Sequence, residues 1–132
     1  MAAGLISRLC VTLVIALLAT QHSLDNGPEL IEGKATAYCL PGITASGQPV
    51  RDGVCAMHDR ELLGKTVIVY KRLPDGSLGE SIGIYEVLDT GCAKGVIDVW
   101  CEDLEECQEF MDTVYENGCK GNIFYQIIEA DG

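Results

Sequence analysis

Basic residues are scarce in this chain of 132 residues. It has 9 lysines and arginines against 20 aspartates and glutamates, which gives a formal net charge of −11 at pH 7. A nucleic-acid-binding domain needs a basic stripe, and an anionic membrane surface repels so acidic a domain. We therefore expect no nucleic-acid partner, and no membrane partner beyond a possible N-terminal anchor. A neutral glycan remains compatible as a ligand, because its binding does not depend on net charge.

Histidine is scarce as well, since the chain has only His22 and His58. Zinc sites usually present paired ligands two to four residues apart. The closest pair of domain cysteines, Cys101 and Cys107, is spaced more widely, and His58 stands alone. The sequence therefore predicts no metal site, and nothing in it indicates a cofactor.

Long apolar runs are confined to the N-terminus. Arg8 precedes an apolar run over residues 9–19, which is typical of a secretory signal and short for a membrane-spanning helix of ~20 residues. Leu17 weakens the small-residue cleavage pattern, so an uncleaved anchor remains an alternative. We assign residues 1–23 to this signal peptide or anchor, 24–33 to a linker and 34–132 to a single domain.

Cysteine is the residue type that the chain has in quantity. Cys10 lies in the N-terminal segment, and six more cysteines lie in the domain. Six cysteines in a small exported domain indicate up to three disulfides, whose connectivity the sequence leaves open. We expect Cys39 to pair with Cys55, because these two residues flank one loop.

The residue pattern predicts a mainly β domain with one helix. A turn at Pro74-Asp75-Gly76 joins the best hairpin, and residues 39–53 form a long loop rich in proline and glycine. The helix covers residues 102–117. The strands are expected at residues 34–38, 66–72, 81–88, 96–100 and 121–129, and the apolar helix positions expected to pack in the core are Leu104, Cys107, Met111, Val114 and Tyr115.

Two aspartates carry the candidate chemistry. Asp89 lies in Leu88-Asp89-Thr90-Gly91, and Asp98 lies in Val96-Ile97-Asp98-Val99-Trp100. Each follows apolar β-forming residues, where a half-buried carboxyl can have a raised pKa, as acid-catalysed cleavage of a glycosidic bond requires. The alternative is that both aspartates only cap a turn.

An ordered set of short motifs resembles the 3D (Asp-Asp-Asp) domain family from about residue 34 to residue 129. These small secreted bacterial domains are related to the catalytic barrel of membrane-bound lytic transglycosylases. The resemblance implies a small six-stranded double-psi β-barrel with the helix packed outside, at the extracellular face of a bacterial envelope. Besides the two aspartate motifs, the matching segments are Thr36-Ala37-Tyr38-Cys39, Thr44-Ala45-Ser46-Gly47, Gly53-Val54-Cys55-Ala56 and Leu63-Gly64-Lys65-Thr66-Val67.

The resemblance implies cleavage of peptidoglycan glycan strands between N-acetylmuramic acid and N-acetylglucosamine. Asp98 matches the single acid/base, which leaves a 1,6-anhydro product, and Asp89 would tune Asp98 or orient the sugar. Four further residues are candidate substrate contacts: Tyr38, Thr44, Ser46 and Lys94. The first three can equally cap their own loops, and the alternative for Lys94 is a solvated loop residue.

Two departures from the family pattern keep other functions open. Asp59 is the possible third acidic position, but it lies one residue late, and His58 stands nearest the expected place. The loop between Asp89 and Asp98 is also shorter than in most members. A non-catalytic peptidoglycan-binding module is therefore the main alternative, and a structural envelope protein is another. Asp-Thr-Gly is also the motif of aspartic proteases, whose active sites use two copies. This chain has one copy and would have to dimerise to form such a site, whereas we expect a monomer.

Overall fold

The computed structural model describes residues 28–129. The predicted signal peptide or anchor, residues 1–23, lies outside the described residues, together with the first part of the predicted linker. Within the described part, no helix has both the length and the hydropathy needed to cross a membrane.

Residues 28–129 contain six β-strands, one α-helix and two short 3-10 turns, joined by loops. The strands are β1 (Ile31–Tyr38), β2 (Val54–Met57), β3 (Thr66–Arg72), β4 (Leu78–Thr90), β5 (Val96–Trp100) and β6 (Asn122–Ile128). The helix is α1 (Leu104–Tyr115), and the 3-10 turns are Arg60–Leu62 and Glu116–Gly118.

The described strands close into a barrel in the order β1-β5-β2-β4-β3-β6. The pairs β1/β5 and β2/β4 are parallel, and the other four pairs are antiparallel. The 39–53 loop is the path from β1 to β2, which lie on either side of β5. The predicted mainly β architecture with six strands and one helix is confirmed.

The barrel interior is filled by alternating residues of the strands. In β3, Val67 and Val69 are fully buried, and in β5 Ile97 and Val99 point inward in the same way. This period of two leaves the intervening side chains on the outer face of the barrel. The outer face is where Asp98 of β5 lies.

The observed strands differ from the prediction by one missed strand, β2, and in the bounds of β1, β4 and β6. β2 was not predicted as a strand, because its four residues are all buried and show no alternation. β1 begins at Ile31, so residues 31–33, which were assigned to the linker, belong to the barrel. Gly33 permits this start, because a Cβ there would lie 2.5 Å from the carbonyl oxygen of Gly95.

Helix α1 lies close to its predicted position, but fewer of its apolar residues are buried than was predicted. Asp103 caps the N-terminus by accepting a hydrogen bond from the Glu106 amide at 2.9 Å. Val114 is buried, but Leu104 and Tyr115 are 76% and 52% exposed. Their assignment to the core was wrong, because they are the first and last residues of the helix and extend past the face that packs on the barrel.

The predicted pairing of Cys39 with Cys55 is also wrong. Cys39 follows β1 and Cys55 lies in β2, and β5 runs between these two strands. Two strand spacings separate the Cα atoms by roughly 9–10 Å. A disulfide requires Cα atoms closer than about 7 Å. The structure describes all six domain cysteines as thiols.

Candidate active site

The two predicted catalytic aspartates lie on β5 and β4, the strands on either side of β2 in the barrel. Ala56 of β2 is the register partner of Asp98 on β5 and also of Asp89 on β4. Directly paired residues point to the same face of a sheet. The small Ala56 side chain therefore separates two carboxyl groups that share the outer face.

Asp98 is half-buried and is held by one side-chain hydrogen bond. The hydroxyl of Thr36, its register partner on β1, donates to Asp98 Oδ1 at 2.7 Å. Burial raises the pKa of the Asp98 carboxyl, and the charge of Asp89 adds to the increase, while the Thr36 hydrogen bond partly opposes it. A carboxyl with a raised pKa retains its proton to higher pH, which is the property of a general acid.

Asp89 is in a different environment, because three donors converge on its carboxylate. Its Oδ1 accepts hydrogen bonds from the amides of Ala45 and Thr90, both at 2.9 Å. The Tyr38 hydroxyl donates to Oδ2 at 3.4 Å. Asp89 thus connects the 39–53 loop and β1 to the end of β4, and both of its carboxylate oxygens accept hydrogen bonds from the protein.

Tyr38 connects the two carboxyl groups electrostatically. Burial raises the pKa of its hydroxyl, and the charges of Asp89 and Asp98 raise it further. The Tyr38 hydroxyl therefore remains a neutral hydrogen-bond donor over the whole physiological pH range. Tyr38 and Thr36 are two residues apart on β1, so both side chains reach the face that carries Asp98.

The two loop hydroxyls predicted to contact substrate are hydrogen-bonded within the loop. The buried Thr44 hydroxyl donates to the carbonyl oxygen of Gln48 at 2.7 Å. The hydroxyls of Thr44 and Ser46 share a hydrogen bond of 2.8 Å, and Ser46 Oγ also accepts from the Gln48 amide at 3.4 Å. Thr44 thus shapes the loop, whereas Ser46 remains exposed at its surface.

The remaining candidate residues lie in turns around the site. Lys94 is exposed in the turn between β4 and β5. Asp59 is exposed and caps the 3-10 turn that follows it, where its carboxylate accepts from the Glu61 amide at 2.9 Å. His58 Nδ1 lies 3.4 Å from the carbonyl oxygen of Cys92. Asp59 therefore has a local structural role and does not join Asp89 and Asp98 on the shared face.

Thr36 and Cys92 belong to the site, although neither was predicted from the sequence. Thr36 could have been found, because it lies two residues before Tyr38 on the same predicted strand and so shares its face. Cys92 lies in the β4–β5 turn, and its thiol donates to the carbonyl oxygens of Ala56 and Val96 at 3.3 and 3.4 Å. The bond to Ala56 holds the turn against β2, which lies between the strands that carry Asp89 and Asp98.

The site thus contains one carboxyl suited to proton transfer and one engaged in structure. In residues 28–129, no group of three or more His, Cys, Asp or Glu side chains has the arrangement of a metal site. Positioned proton transfer by a single carboxyl is the chemistry that the geometry supports.

Comparison with known proteins gives a likeness of fold. No family model matches the chain, and no curated protein matches it. Among solved structures, the chain is similar to the Streptomyces papain inhibitor, with a TM-score of 0.50 and 18% sequence identity. The match covers 76% of this chain and 96% of that protein. At this identity the likeness shows that the two proteins share an overall fold.

Proposed function

We propose that this chain is a double-psi β-barrel that cleaves the glycosidic bond between N-acetylmuramic acid and N-acetylglucosamine in peptidoglycan. The barrel assignment is supported by the closed six-stranded order with two parallel pairs, and by the fold likeness described above. The observation that carries the functional proposal is the pair of unlike carboxyl groups on one face of the barrel.

Asp98 is the proposed acid and base. Its protonated carboxyl gives a proton to the bridging oxygen as the bond from C1 of the muramoyl sugar breaks. The resulting carboxylate then accepts the proton of the muramoyl 6-hydroxyl while O6 bonds to C1. The product is a 1,6-anhydro sugar, no water is consumed, and Asp98 is again protonated at the end.

A single acid/base is enough for this reaction because the nucleophile belongs to the substrate. Standard glycosidases need a second carboxylate as nucleophile or as the base for water. Asp89 is poorly suited to that second role, since donors from Tyr38, Ala45 and Thr90 already engage it. Its proposed roles are to position the 39–53 loop and to keep the pKa of Asp98 raised.

Substrate contacts are proposed for three side chains around Asp98. Tyr38 offers a neutral hydroxyl on the same face, and Ser46 and Lys94 are exposed in the flanking loop and turn. Thr44 contributes indirectly through the loop shape. The domain is proposed to act as a secreted or envelope-attached monomer.

A non-catalytic peptidoglycan-binding module is the alternative function, and one observation at the site supports it. Asp59 is engaged in capping its own turn, so the third acidic position of the family pattern has no counterpart on the shared face. In that case Asp98 and Tyr38 would recognise glycan hydroxyls without transferring a proton.

Release of soluble fragments from purified sacculi distinguishes the two functions. The proposal expects release by the wild type and none above background by Asp98→Asn, a change that keeps the shape but removes the transferable proton. The matched control is Asp59→Asn, which changes an exposed aspartate outside the site and should release as much as the wild type. If the wild type and Asp98→Asn both sediment with sacculi and neither releases fragments, the protein is a binding module.

Inhibition of a papain-like protease is a second candidate function, favoured by the surface of the 39–53 loop. Leu40 and Ile43 are each 70% exposed there, on either side of Pro41, and a bridge between Ile43 and Pro49 braces the loop. A braced, apolar, exposed loop is suited to occupy a protease cleft. Loss of papain activity on adding the wild type, with less loss on adding Ile43→Asp, would support this function.

A further inference from the structure

Three cysteine side chains meet where the ends of β1 and β5 approach α1. Cys39 directly follows β1 and Cys101 directly follows β5. The Cys101 amide donates to the carbonyl oxygen of Tyr38 at 2.8 Å, so the two strands remain paired up to this point. The Cys107 thiol on α1 lies within hydrogen-bonding reach of both the Cys39 and the Cys101 thiols.

The three thiols differ in their access to solvent. Cys101 is 6% exposed and belongs to the barrel core, whereas Cys39 and Cys107 are only partly buried. Burial raises the pKa of the Cys101 thiol to about 12 and also raises the pKa of the Cys107 thiol, so access to solvent is what distinguishes the two. Thiol–disulfide exchange needs a thiolate that the oxidant can reach. Cys101 therefore reacts least, and Cys39 and Cys107 are the accessible pair.

We propose that Cys39 and Cys107 form a disulfide under oxidising conditions, beside Cys101, which stays a buried thiol. The oxidant is a low-molecular-weight disulfide. The thiolate of one cysteine attacks it and forms a mixed disulfide, releasing one small thiolate. The thiolate of the other cysteine then attacks the protein sulfur of that bond and displaces the second. The protein loses two protons and two electrons, and the small disulfide is reduced to two thiols.

This disulfide would connect α1 to the first residue of the 39–53 loop. The same loop carries the Ala45 amide that hydrogen-bonds to Asp89. Fixing the start of the loop limits the opening of that hydrogen bond. We therefore expect hydrogen exchange at the Ala45 amide to slow on oxidation, whether or not the protein cleaves glycans.

Peptide mapping of the full chain tests the pairing, because digestion after lysine, arginine and glutamate places each domain cysteine on a separate peptide. The protein is oxidised with oxidised glutathione, alkylated and digested with trypsin and Glu-C protease. The expected result is a link between residues 35–51 and residues 107–109, with the peptide of residues 95–102 alkylated. A link that involves residues 95–102, or alkylation of all three peptides, would overturn the proposal.

Three variants separate the disulfide from a general effect on folding. Cys39→Ser and Cys107→Ser should each leave the partner cysteine alkylated and lower the melting temperature of the oxidised protein by about 10 °C, to near that of the reduced wild type. Cys101→Ala is the matched control and should keep the link between residues 35–51 and 107–109. Loss of that link in Cys101→Ala would contradict the assigned pairing.

Discussion

Replacing Thr36 by Val should raise the pKa of Asp98 further. The Thr36 hydroxyl donates to Asp98 Oδ1 at 2.7 Å, and a donor at this distance stabilises the ionised carboxylate more than the neutral acid. Valine has nearly the same shape and suits a β-strand equally well, so the strand should be preserved. The substitution therefore removes one electrostatic contribution and leaves the burial of Asp98 in place.

The size of the shift follows from the strength of the lost hydrogen bond. A hydrogen bond to a charged group contributes ~1.5–3 kcal/mol. Asp98 is only half-buried, so solvent replaces part of the loss and the lower end of this range applies. Since one pKa unit corresponds to ~1.4 kcal/mol, the pKa of Asp98 should rise by about one unit.

The measurement is an NMR titration of the Asp98 side-chain carboxyl carbon in the wild type, Thr36→Val and Thr36→Ser. Serine keeps the hydroxyl and loses only a methyl group, so its titration should stay close to that of the wild type. An Asp98 pKa that is unchanged or lower in Thr36→Val would refute the reasoning. Equal shifts in the valine and serine variants would attribute the effect to packing.

Three further predictions concern stability, each measured by urea denaturation. Gly33→Ala should destabilise the barrel by ~1–3 kcal/mol, because the added Cβ meets the carbonyl oxygen of Gly95 at 2.5 Å; an unchanged midpoint would contradict the β1–β5 pairing. Asp103→Ala should cost about 1 kcal/mol through loss of the helix cap, and Asp103→Asn much less. The native pKa of Asp98 is raised, so the native state binds more protons than the unfolded state between the two pKa values, and stability falls as pH rises through that window. Asp98→Asn should therefore gain stability relative to the wild type as the pH rises from about 4, the ordinary pKa of an aspartate, towards the raised pKa of Asp98, and a constant difference would contradict the raised pKa.

Most of the fold could be predicted because most strands alternate in the usual way. β3 and β5 bury every second residue, and both were predicted with their observed bounds. β2 escaped prediction because all four of its residues are buried, so its sequence shows no alternation of apolar and polar residues. The order of the strands around the barrel depends on long-range pairing, which local periodicity does not encode.

From the sequence, the site could be predicted only where the residues next to an aspartate in the chain indicate how buried that aspartate is. Apolar neighbours predicted that Asp98 would be half-buried, and the structure shows this and the resulting rise in its pKa. Nothing local indicated that Asp89 would be engaged by Ala45 and Tyr38, because those donors lie 44 and 51 residues away in the chain. The same long-range pairing decided which cysteines are neighbours.

The mass of the soluble fragments released from purified sacculi tests the proposed function most directly. If Asp98 transfers the proton and the substrate's own 6-hydroxyl attacks, wild-type fragments should end in 1,6-anhydro-muramic acid, one water lighter than the products of hydrolysis. Asp98→Asn should release at least ~10²-fold less while keeping the wild-type fold. Fragments that end in reducing muramic acid, or equal release by the wild type and Asp98→Asn, would contradict a single acid/base at Asp98.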